Sequence, residues 1–246
     1  MTWGKLCNIM RDMDRNEADF IFRGDLEWFI ARKARGKPIH LVFEDHQSAK
    51  HLIEALGVPH VEVGKVTANQ EPVALSYLPK DGDKLEILPT APGLPMAPCF
   101  LLDNHLGRLA ASLRMLGFDC LYRNDFEDAE MAHLLENDPR ILLTRDRQLL
   151  MRKAVQFGYC LRSLRPKEQL HEVVRRFALK PVIRPFTRCL RCNGILEPVD
   201  KADVLEQLEP KTRLYYNVFS RCPICGQVYW KGSHWEQMQA VIANLK

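Results

Sequence analysis

Short apolar runs and helix-period segments alternate along the C-terminal half of the chain. The runs have the length and branching of buried strands, and we predict strands at residues 100–103, 118–122, 141–144 and 159–164. Between and after these runs, apolar residues recur every three or four positions, which indicates helices. One of these helices ends at Gly117, another runs from Asp146 towards Gly158, and the last has Pro166 in its first turn. Repeated strand–helix units predict an α/β domain with a parallel sheet and helices on both of its faces.

Residues before position 90 have a different pattern, with strand candidates at 19–24, 38–43, 60–67 and 84–88. Between the second and third candidates, Ser48 can cap a helix with apolar positions at i, i+3, i+4 and i+7, and Gly57 can end it. This ββαββ order resembles the ubiquitin-like β-grasp. The segment VTANQEPVALSYLPKDGDKLEILP also resembles the small sulfur-carrier proteins. Those carriers end in a free Gly-Gly tail, whereas this chain continues through prolines, so we do not expect carrier chemistry.

Composition and charge narrow the class of protein. A hydrophobic fraction of 46% suits ordinary globular domains. No apolar run approaches the roughly 20 residues that span a bilayer, and the N-terminus is charged where a signal peptide is apolar. We therefore expect a soluble cytoplasmic protein without a membrane partner. Residues 96–246 carry 23 Lys and Arg against 17 Asp and Glu, while residues 1–95 carry 12 against 14, so the C-terminal part modestly favours a polyanionic partner.

Acidic residues follow two of the predicted parallel strands. Asp103 ends the run FLLD, and Asp146 follows ILLTR. A third acid comes from the run NDFED at 124–128, where we favour Asp128 because helical periodicity starts just after it, with Asp125 as the alternative. The carboxyl ends of parallel strands line the functional edge of such a sheet, and carboxylates that meet there need a cation such as Mg²⁺ or Mn²⁺. The alternative role is structural, with Asp103 and Asp128 as N-caps and Asp146 as a first-turn acid.

Four of the eight cysteines form two CxxC pairs. Cys189 and Cys192 are separated by 29 residues from Cys222 and Cys225, which is the pattern of a closed, tetrahedral structural zinc site. Disulfides are disfavoured in the expected compartment. Neither pair follows a strand of a βαβ unit, as a redox-active CxxC would.

Aromatic and basic residues alternate just after the second pair, in VYWKGSHW. Trp230, Lys231 and His234 are candidates for stacking on unpaired bases and for contact with phosphate. The alternative is that Tyr229 and Trp230 pack beneath the zinc site.

The segment DNHLGRLAASLRMLGFDCLYRNDFEDAEMAHLLENDPRILLTRDRQLL is similar to the Mut-seven C-terminal ribonuclease domain family, a branch of the PIN-like nucleases. The similarity covers about residues 98–240, and the family often carries a ubiquitin-like N-terminal domain. It implies a PIN-like αβα sandwich in which Asp103, Asp128 and Asp146 are the metal-binding acids. Such nucleases commonly use four acids, and we place no fourth.

The resemblance also implies roles for residues close to these acids. Thr144 and Arg145 precede Asp146, and we expect Thr144 to orient Asp146 by a hydrogen bond. Arg145, Arg108 and Arg114 are candidate phosphate contacts. The alternative for each arginine is an exposed surface charge.

Together these features predict an α/β chain with a ubiquitin-like β-grasp (α+β) at 1–90, a proline-rich linker at 91–98, a PIN-like nuclease domain at 99–180 and a four-cysteine zinc ribbon at 181–246. We predict a ribonuclease that hydrolyses single-stranded RNA, with Mg²⁺ or Mn²⁺ in catalysis, structural Zn²⁺, and a protein partner at the ubiquitin-like domain. The alternative is a non-catalytic RNA-binding or adaptor protein.

The first strand–helix turn lacks GxGxxG and a P-loop, which argues against a nucleotide-binding protein. Its DNH lacks the second acid of a DxD phosphatase, so this class also fits poorly.

Overall fold

The computed structural model describes residues 15–94 and 97–245. The chain divides into two compact units. The first unit takes the chain up to Ala91 together with Asp146–Cys160, and the second unit takes Pro92–Arg145 together with Leu161–Lys246. The domain limits derived from the sequence stay a prediction.

The strands and helices are numbered here in chain order over the described residues. The strands are β1 Arg15–Phe22, β2 Ile39–Glu44, β3 Val63–Ala68, β4 Glu71–Val73, β5 Asp83–Pro89, β6 Cys99–Leu102, β7 Asp119–Leu121, β8 Ile141–Thr144, β9 Phe157–Cys160, β10 Glu197–Val199, β11 Phe219–Arg221 and β12 Val228–Trp230. The helices are α1 Ala49–Ala55, α2 Gly107–Met115, α3 Asp128–Asn137, α4 Arg147–Leu150, α5 Pro166–Arg176, α6 Lys201–Val204, α7 Pro210–Tyr215 and α8 Ser233–Ala243.

A mixed sheet forms the core of the first unit, and its strand order over the described residues is β2-β1-β5-β3-β4. Strands β1 and β5 are parallel, and the other neighbours are antiparallel. Phe20, Leu85 and Ile87 on these strands are fully buried. The order confirms the predicted β-grasp. Strand β4 adds an edge strand that the sequence did not predict, because its three residues include a proline.

Helix α1 forms where its caps predict it. The Ser48 Oγ accepts a hydrogen bond from the His51 N–H at 3.3 Å, which is the expected N-cap. Gly57 takes a φ of +89° just after the helix, a conformation that favours glycine. Buried Leu52 and Ile53 form its apolar face. Residues His60–Glu62, expected to start a strand, form a 3-10 turn before β3.

The segment Asp146–Cys160 packs within the first unit. The Cys160 N–H donates to the buried Glu62 Oε1 at 2.7 Å, and the His60 Nε2 lies 3.1 Å from the Val155 carbonyl oxygen. Helix α4 has four residues, whereas the sequence predicts a helix that continues towards Gly158. That prediction is wrong, because the chain turns after Met151 and Val155 is held by its contact with the N-terminal domain.

A parallel sheet forms the centre of the second unit, as predicted. Strands β7, β6 and β8 lie side by side in that order, with Phe100 opposite both Cys120 and Ile141. The Phe100 ring contacts the rings of Phe118 and Phe177 at centroid distances of 6.0 and 5.8 Å. Because every residue of β8 is buried, this strand carries its last side chain, Thr144, into an enclosed position at the carboxyl end of the sheet.

Two helices of the second unit begin or end at residues that the sequence marks. Pro166 is the first residue of α5, where its missing N–H costs nothing. Gly117 follows α2 with a φ of +93°, and a Cβ there would lie 2.1 Å from the Arg184 carbonyl oxygen. Glycine is therefore required at this position by both conformation and space.

The C-terminal part of the second unit has a small antiparallel sheet with the order β10-β11-β12. Its core is a cluster of Val204, Leu208, Phe219 and Val228. A core this small contributes little stability by itself, which makes a metal ion a natural source of the remainder. Over residues 15–94 and 97–245, no helix is both long and apolar enough to cross a membrane.

Candidate functional site

The four cysteines of the CxxC pairs come together in the second unit. Their Sγ atoms all lie within 4.8 Å of one another. The Sγ atoms of Cys189 and Cys225 are 3.5 Å apart, and those of Cys192 and Cys222 are 3.4 Å apart. Four sulfurs bound at about 2.3 Å around a tetrahedral Zn²⁺ lie about 3.8 Å apart. The sulfur set therefore has the chemistry and close to the spacing that such an ion requires.

Local turns bring each pair of sulfurs together. We call residues 189–194 the first knuckle and residues 222–227 the second knuckle. In the first knuckle Asn193 takes a φ of +73°, and in the second Gly226 takes a φ of +74°. These left-handed residues follow the second cysteine of each CxxC and turn the chain back, so that the Cys189 N–H bonds to the Gly194 carbonyl and the Cys222 N–H to the Gln227 carbonyl.

Tyr229 supports the cysteine cluster from β12. Its hydroxyl oxygen accepts the Leu190 N–H at 3.0 Å and lies 3.1 Å from the Cys189 Sγ, so its own proton can be donated to the sulfur. Burial raises the pKa of the Cys189 thiol, but this hydroxyl and nearby backbone N–H groups stabilise the thiolate and bring the pKa down to about 7. Tyr229 therefore favours the thiolate of Cys189, which is the form of cysteine that binds metals.

Arg114 connects the first knuckle to the parallel sheet. Its side chain is buried, with Nε and Nη2 donating to the Cys120 carbonyl at 3.1 and 2.8 Å. Its Nη1 donates to the carbonyls of Leu190 and Arg191 at 3.1 and 3.0 Å. The predicted role of Arg114 as a phosphate contact is therefore wrong, because its guanidinium is enclosed and occupied by backbone oxygens.

Asp119 completes the same connection. The Asn193 Nδ2 donates to the Asp119 Oδ1 at 2.9 Å, while the Asn193 Oδ1 accepts the Cys120 N–H at 3.0 Å. Arg140 and Arg188 also reach Asp119, at 2.7 and 3.4 Å. Burial favours the neutral acid, but the hydrogen bonds from Arg140 and Asn193 outweigh it and hold the pKa of Asp119 below its ordinary value. The first knuckle is thus bonded to the end strand β7.

Asp103 lies at the carboxyl end of β6, next to the end of β8. The buried Thr144 hydroxyl donates to the Asp103 Oδ2 at 2.7 Å, and the Asp103 N–H bonds to the Leu143 carbonyl. The Asp103 Oδ1 accepts the Asn104 N–H at 2.6 Å, as in the N-cap alternative. Thr144 therefore orients Asp103, whereas its predicted bond to Asp146 stays a prediction.

The turn after Asp103 is fixed by Tyr122. The Tyr122 hydroxyl donates to the Asn104 carbonyl at 2.8 Å. A Cβ at Gly107 would lie 2.7 Å from that hydroxyl oxygen, so the glycine of the LGRLA segment makes room for the ring. The Asn104 Oδ1 is buried and has no hydrogen-bond partner among the described residues. A buried acceptor of this kind is commonly satisfied by water or a cation.

The third predicted acid belongs to α3 of the second unit. Asp128 is exposed and is the first residue of the helix, while Glu127 occupies the N-cap position without a side-chain capping bond. The N-cap alternative for Asp128 is therefore wrong. Asp125 is engaged by the Arg123 Nε at 2.9 Å, and this pairing lowers its pKa.

Asp146 is the N-cap of α4 in the first unit. Its exposed carboxylate accepts the N–H groups of Gln148 and Leu149 at 2.7 and 3.4 Å. It is thus a capping residue rather than the first-turn acid of the structural alternative. Because Asp146 belongs to the first unit and Asp103 to the second, their meeting stays a prediction.

Arg147, the next residue, anchors α4. Its Nη1 donates to the Phe29 carbonyl at 3.2 Å, and its guanidinium lies 4.9 Å from the centroid of the Trp28 ring. The first unit thus holds the start of α4 through a hydrogen bond and a cation–π contact.

A cavity of about 620 Å³ in the second unit gathers several predicted substrate contacts. Its walls come from α2, the start of α5, β12 and α8, and include Trp230 and His234. Lys231 lies beside the cavity, with its Nζ 5.4 Å from the centroid of the Trp235 ring, which lines it. Lys167 and Gln237 also line it and were not predicted. The signal for Gln237 was present, since His234, Gln237, Met238 and Val241 share one helical face.

Of the three arginines predicted to contact phosphate, Arg108 and Arg145 have exposed side chains. Arg108 lies on α2 and Arg145 directly follows β8. Contact of either with phosphate stays a prediction.

The fold and the cysteine cluster define a ubiquitin-like domain joined to an α/β domain with a four-cysteine module. Two family models match this arrangement: the Mut7-C RNAse domain over residues 98–242 and the Mut7-C ubiquitin domain over residues 15–94. The chain belongs to the Mut7-C RNAse domain family, and the predicted family is confirmed. Membership in a family of ribonuclease domains indicates a nuclease or RNA-related function.

Two further comparisons add nothing to this assignment. No curated protein matches the chain. The solution structure of the Haloferax volcanii HVO 2177 protein is 16% identical to it, covering 33% of this chain and 89% of that protein, with a TM-score of 0.28.

Proposed function

We propose that this protein is a metal-dependent ribonuclease that hydrolyses single-stranded RNA. The observation that carries the proposal is Asp103, at the carboxyl end of β6 and held by Thr144 of β8, in a chain of the Mut7-C RNAse domain family. Carboxylates at this edge of a parallel sheet are placed where α/β proteins bind their ligands.

Asp103, Asp128 and Asp146 would hold Mg²⁺ or Mn²⁺. Carboxylates and amide oxygens are the donors that these hard cations prefer, and the unpartnered Asn104 Oδ1 next to Asp103 fits that donor set. The chemistry that a bound cation supplies is activation of a water and stabilisation of the leaving oxygen. Thr144 holds the Asp103 carboxylate in one orientation for that role.

The cysteine cluster would hold Zn²⁺ in a structural role. Four thiolates fill a tetrahedral shell and leave no open position for catalysis. The bonds of Arg114 and Asn193 between the first knuckle and β7 would then make zinc binding stabilise the nuclease domain as well as the ribbon. The exposed Arg108 and Arg145 would contact phosphate. The ubiquitin-like domain would contact a protein partner.

The test is cleavage of defined single- and double-stranded RNA and DNA with Mg²⁺, with Mn²⁺ and in divalent-free buffer, beside Asp146→Asn. We expect divalent-dependent cleavage of single-stranded RNA and a loss of about 100-fold or more in the variant, the size seen when an electrostatic group acting on the transition state is removed. Asp203→Asn is the matched control, since Asp203 is exposed on α6. Full divalent-dependent activity in Asp146→Asn would refute the assignment.

A non-catalytic RNA-binding protein is the second candidate, and the aromatic cavity beside the ribbon favours it. Such a protein would bind single-stranded RNA equally well without added divalent cations and would not cleave it in Mn²⁺. The same assay therefore separates the two functions.

A further inference from the structure

The cavity in the second unit has an aromatic wall. Trp230 and Trp235 line it together with Tyr229, and the Trp230 side chain is 38% exposed although it lies on a strand of the ribbon. Met115 of α2 and Met238 of α8 contribute further apolar surface. Flat aromatic rings with accessible surface are the platform on which proteins stack unpaired bases.

No acidic residue is among the described residues that line the cavity. Lys167 is the charged residue among the described lining residues, and His234 is the titratable imidazole. Lys231 adds a second cation through its contact with Trp235. The nearby Glu168 is paired with Arg165 at 3.3 Å. An aromatic ligand that carries negative charge matches these walls and this rim.

Polar groups in the walls suit the edge of a base. Gln227 and Gln237 offer amide donors and acceptors, and Ser233 offers a hydroxyl. The volume of about 620 Å³ falls within the range of roughly 300–1,000 Å³ typical of small-ligand pockets.

We propose that this cavity binds an unstacked base of single-stranded RNA, with the adjoining phosphates at Lys167 and Lys231. The proposal rests on the proposed function in that it names where the ribonuclease holds its substrate. Trp230 stacks on the base, and Gln237 and His234 contact its edge or sugar. A protein segment is the competing occupant, but an apolar segment would gain nothing from the lysines at the cavity.

The test measures binding of a fluorescent eight-nucleotide single-stranded RNA to the full-length protein by anisotropy in divalent-free buffer, where cleavage does not interfere. An abasic ribose-phosphate chain of the same length is the second probe. We expect the RNA with bases to bind about 5- to 100-fold more tightly, the range of stacking one base on an aromatic side chain.

Two variants address the stacking wall. Trp230→Ala is expected to remove most of the difference between the two probes while leaving abasic binding unchanged. Met238→Trp fills the cavity from the exposed helix α8 and is expected to do the same without truncating the ribbon. Tyr215→Ala is the matched control for an aromatic residue, because Tyr215 is 71% exposed on α7 and is not among the lining residues. Zinc content and the melting temperature show whether each variant is folded.

Lys167→Ala addresses the phosphate contact. It is expected to weaken both probes equally and to reduce the slope of log affinity against log salt by about 1. Lys211→Ala, on α7, is its control.

Equal affinity of the wild type for both probes would overturn the proposal. So would unchanged RNA binding in both Trp230→Ala and Met238→Trp, which would leave the cavity to a protein segment.

Cleavage in Mn²⁺ is recorded in parallel, so that the two proposals can fail separately. Base-dependent binding without cleavage would refute the nuclease but keep the base site. Cleavage without base-dependent binding would refute the base site but keep the nuclease.

Discussion

The cysteine cluster and the acidic residues differ in how the chain builds them. The four sulfurs lie within 4.8 Å of one another, and each pair is made by one short turn. The acids come from three separate elements, and the hydrogen bond from Thr144 orients one of them, Asp103. A site built from local turns is complete once those turns fold, whereas a site built from strand and helix ends depends on distant packing.

Because of this difference, substitutions in the cysteine cluster and substitutions of the acids are expected to have different effects. Loss of one cysteine would remove one ligand from the proposed zinc shell, which would also support the small core of the C-terminal sheet. Loss of Asp128 or Asp146 is expected to leave the fold in place, since both side chains are exposed. The cysteines should therefore report on stability and the acids on activity.

Cys192→Ser is expected to give the largest effect. The apparent free energy of zinc binding to four-ligand structural sites is about 10–16 kcal/mol, so one ligand of four accounts for on the order of 3 kcal/mol. We expect loss of bound zinc and a lower melting temperature, measured by metal analysis after dialysis and by calorimetry. Removal of zinc from the wild type with a chelator should reproduce the lower melting temperature.

Cys99→Ser is the matched control, because Cys99 is a half-buried cysteine of β6 outside the cluster. It should retain one zinc per chain. Full zinc content in Cys192→Ser would show that the cysteines do not act as one shell, and the contrast between the two sites would then lose its basis.

Local motifs explain which parts of the molecule were predictable from the sequence. CxxC spacing, the Ser48 cap and Pro166 at the start of α5 act through residues a few positions apart. Asp103 and Thr144 end apolar runs, and the ends of parallel strands meet at one edge of a sheet, but the bond between these two residues was not predicted, because the sequence assigned the Thr144 hydroxyl to Asp146. Strand β4 and the short α4 were missed because tertiary contacts decide them.

Arg114 shows why the rest could not be predicted. In the sequence, Arg114 is a cation on an amphipathic helix and cannot be distinguished from an ordinary surface arginine. Its partners Leu190 and Arg191 lie 76 and 77 residues away. The link between the parallel sheet and the first knuckle thus depends on a long-range contact that no local pattern encodes.

Arg114→Met is expected to give the second largest effect. It keeps the apolar stem of the side chain but leaves the carbonyls of Cys120, Leu190 and Arg191 without the guanidinium. A buried polar group without its partner costs about 1–3 kcal/mol, so we expect a loss of about 2 kcal/mol. For a domain of this size that corresponds to a melting temperature about 4–8 °C lower, measured by calorimetry on the zinc-loaded protein.

Arg108→Met on the same helix is the control for this change. Because Arg108 is exposed, its replacement should alter the free energy of unfolding by no more than about 0.5 kcal/mol. If both variants were equally stable, the first knuckle would not draw its attachment from Arg114.

Thr144→Val is expected to give the smallest effect and the most specific one. Valine keeps the shape of the buried side chain but removes the hydroxyl that donates to the Asp103 Oδ2 at 2.7 Å. A hydrogen bond to a charged acceptor contributes about 1.5–3 kcal/mol, part of which appears as lost stability. We expect cleavage to fall about 5- to 10-fold and the Mn²⁺ concentration for half-maximal activity to rise.

Thr144→Ser separates the hydrogen bond from packing. Serine retains the hydroxyl and loses one methyl group, so it should keep the wild-type Mn²⁺ dependence even if the free energy of unfolding falls by about 1 kcal/mol. If the Thr144 hydroxyl orients Asp103, the valine variant should change the Mn²⁺ dependence of cleavage and the serine variant should not. If serine shifted the Mn²⁺ dependence as far as valine, Thr144 would act by filling space, and Asp103 would be held by the Asn104 and Leu143 backbone alone.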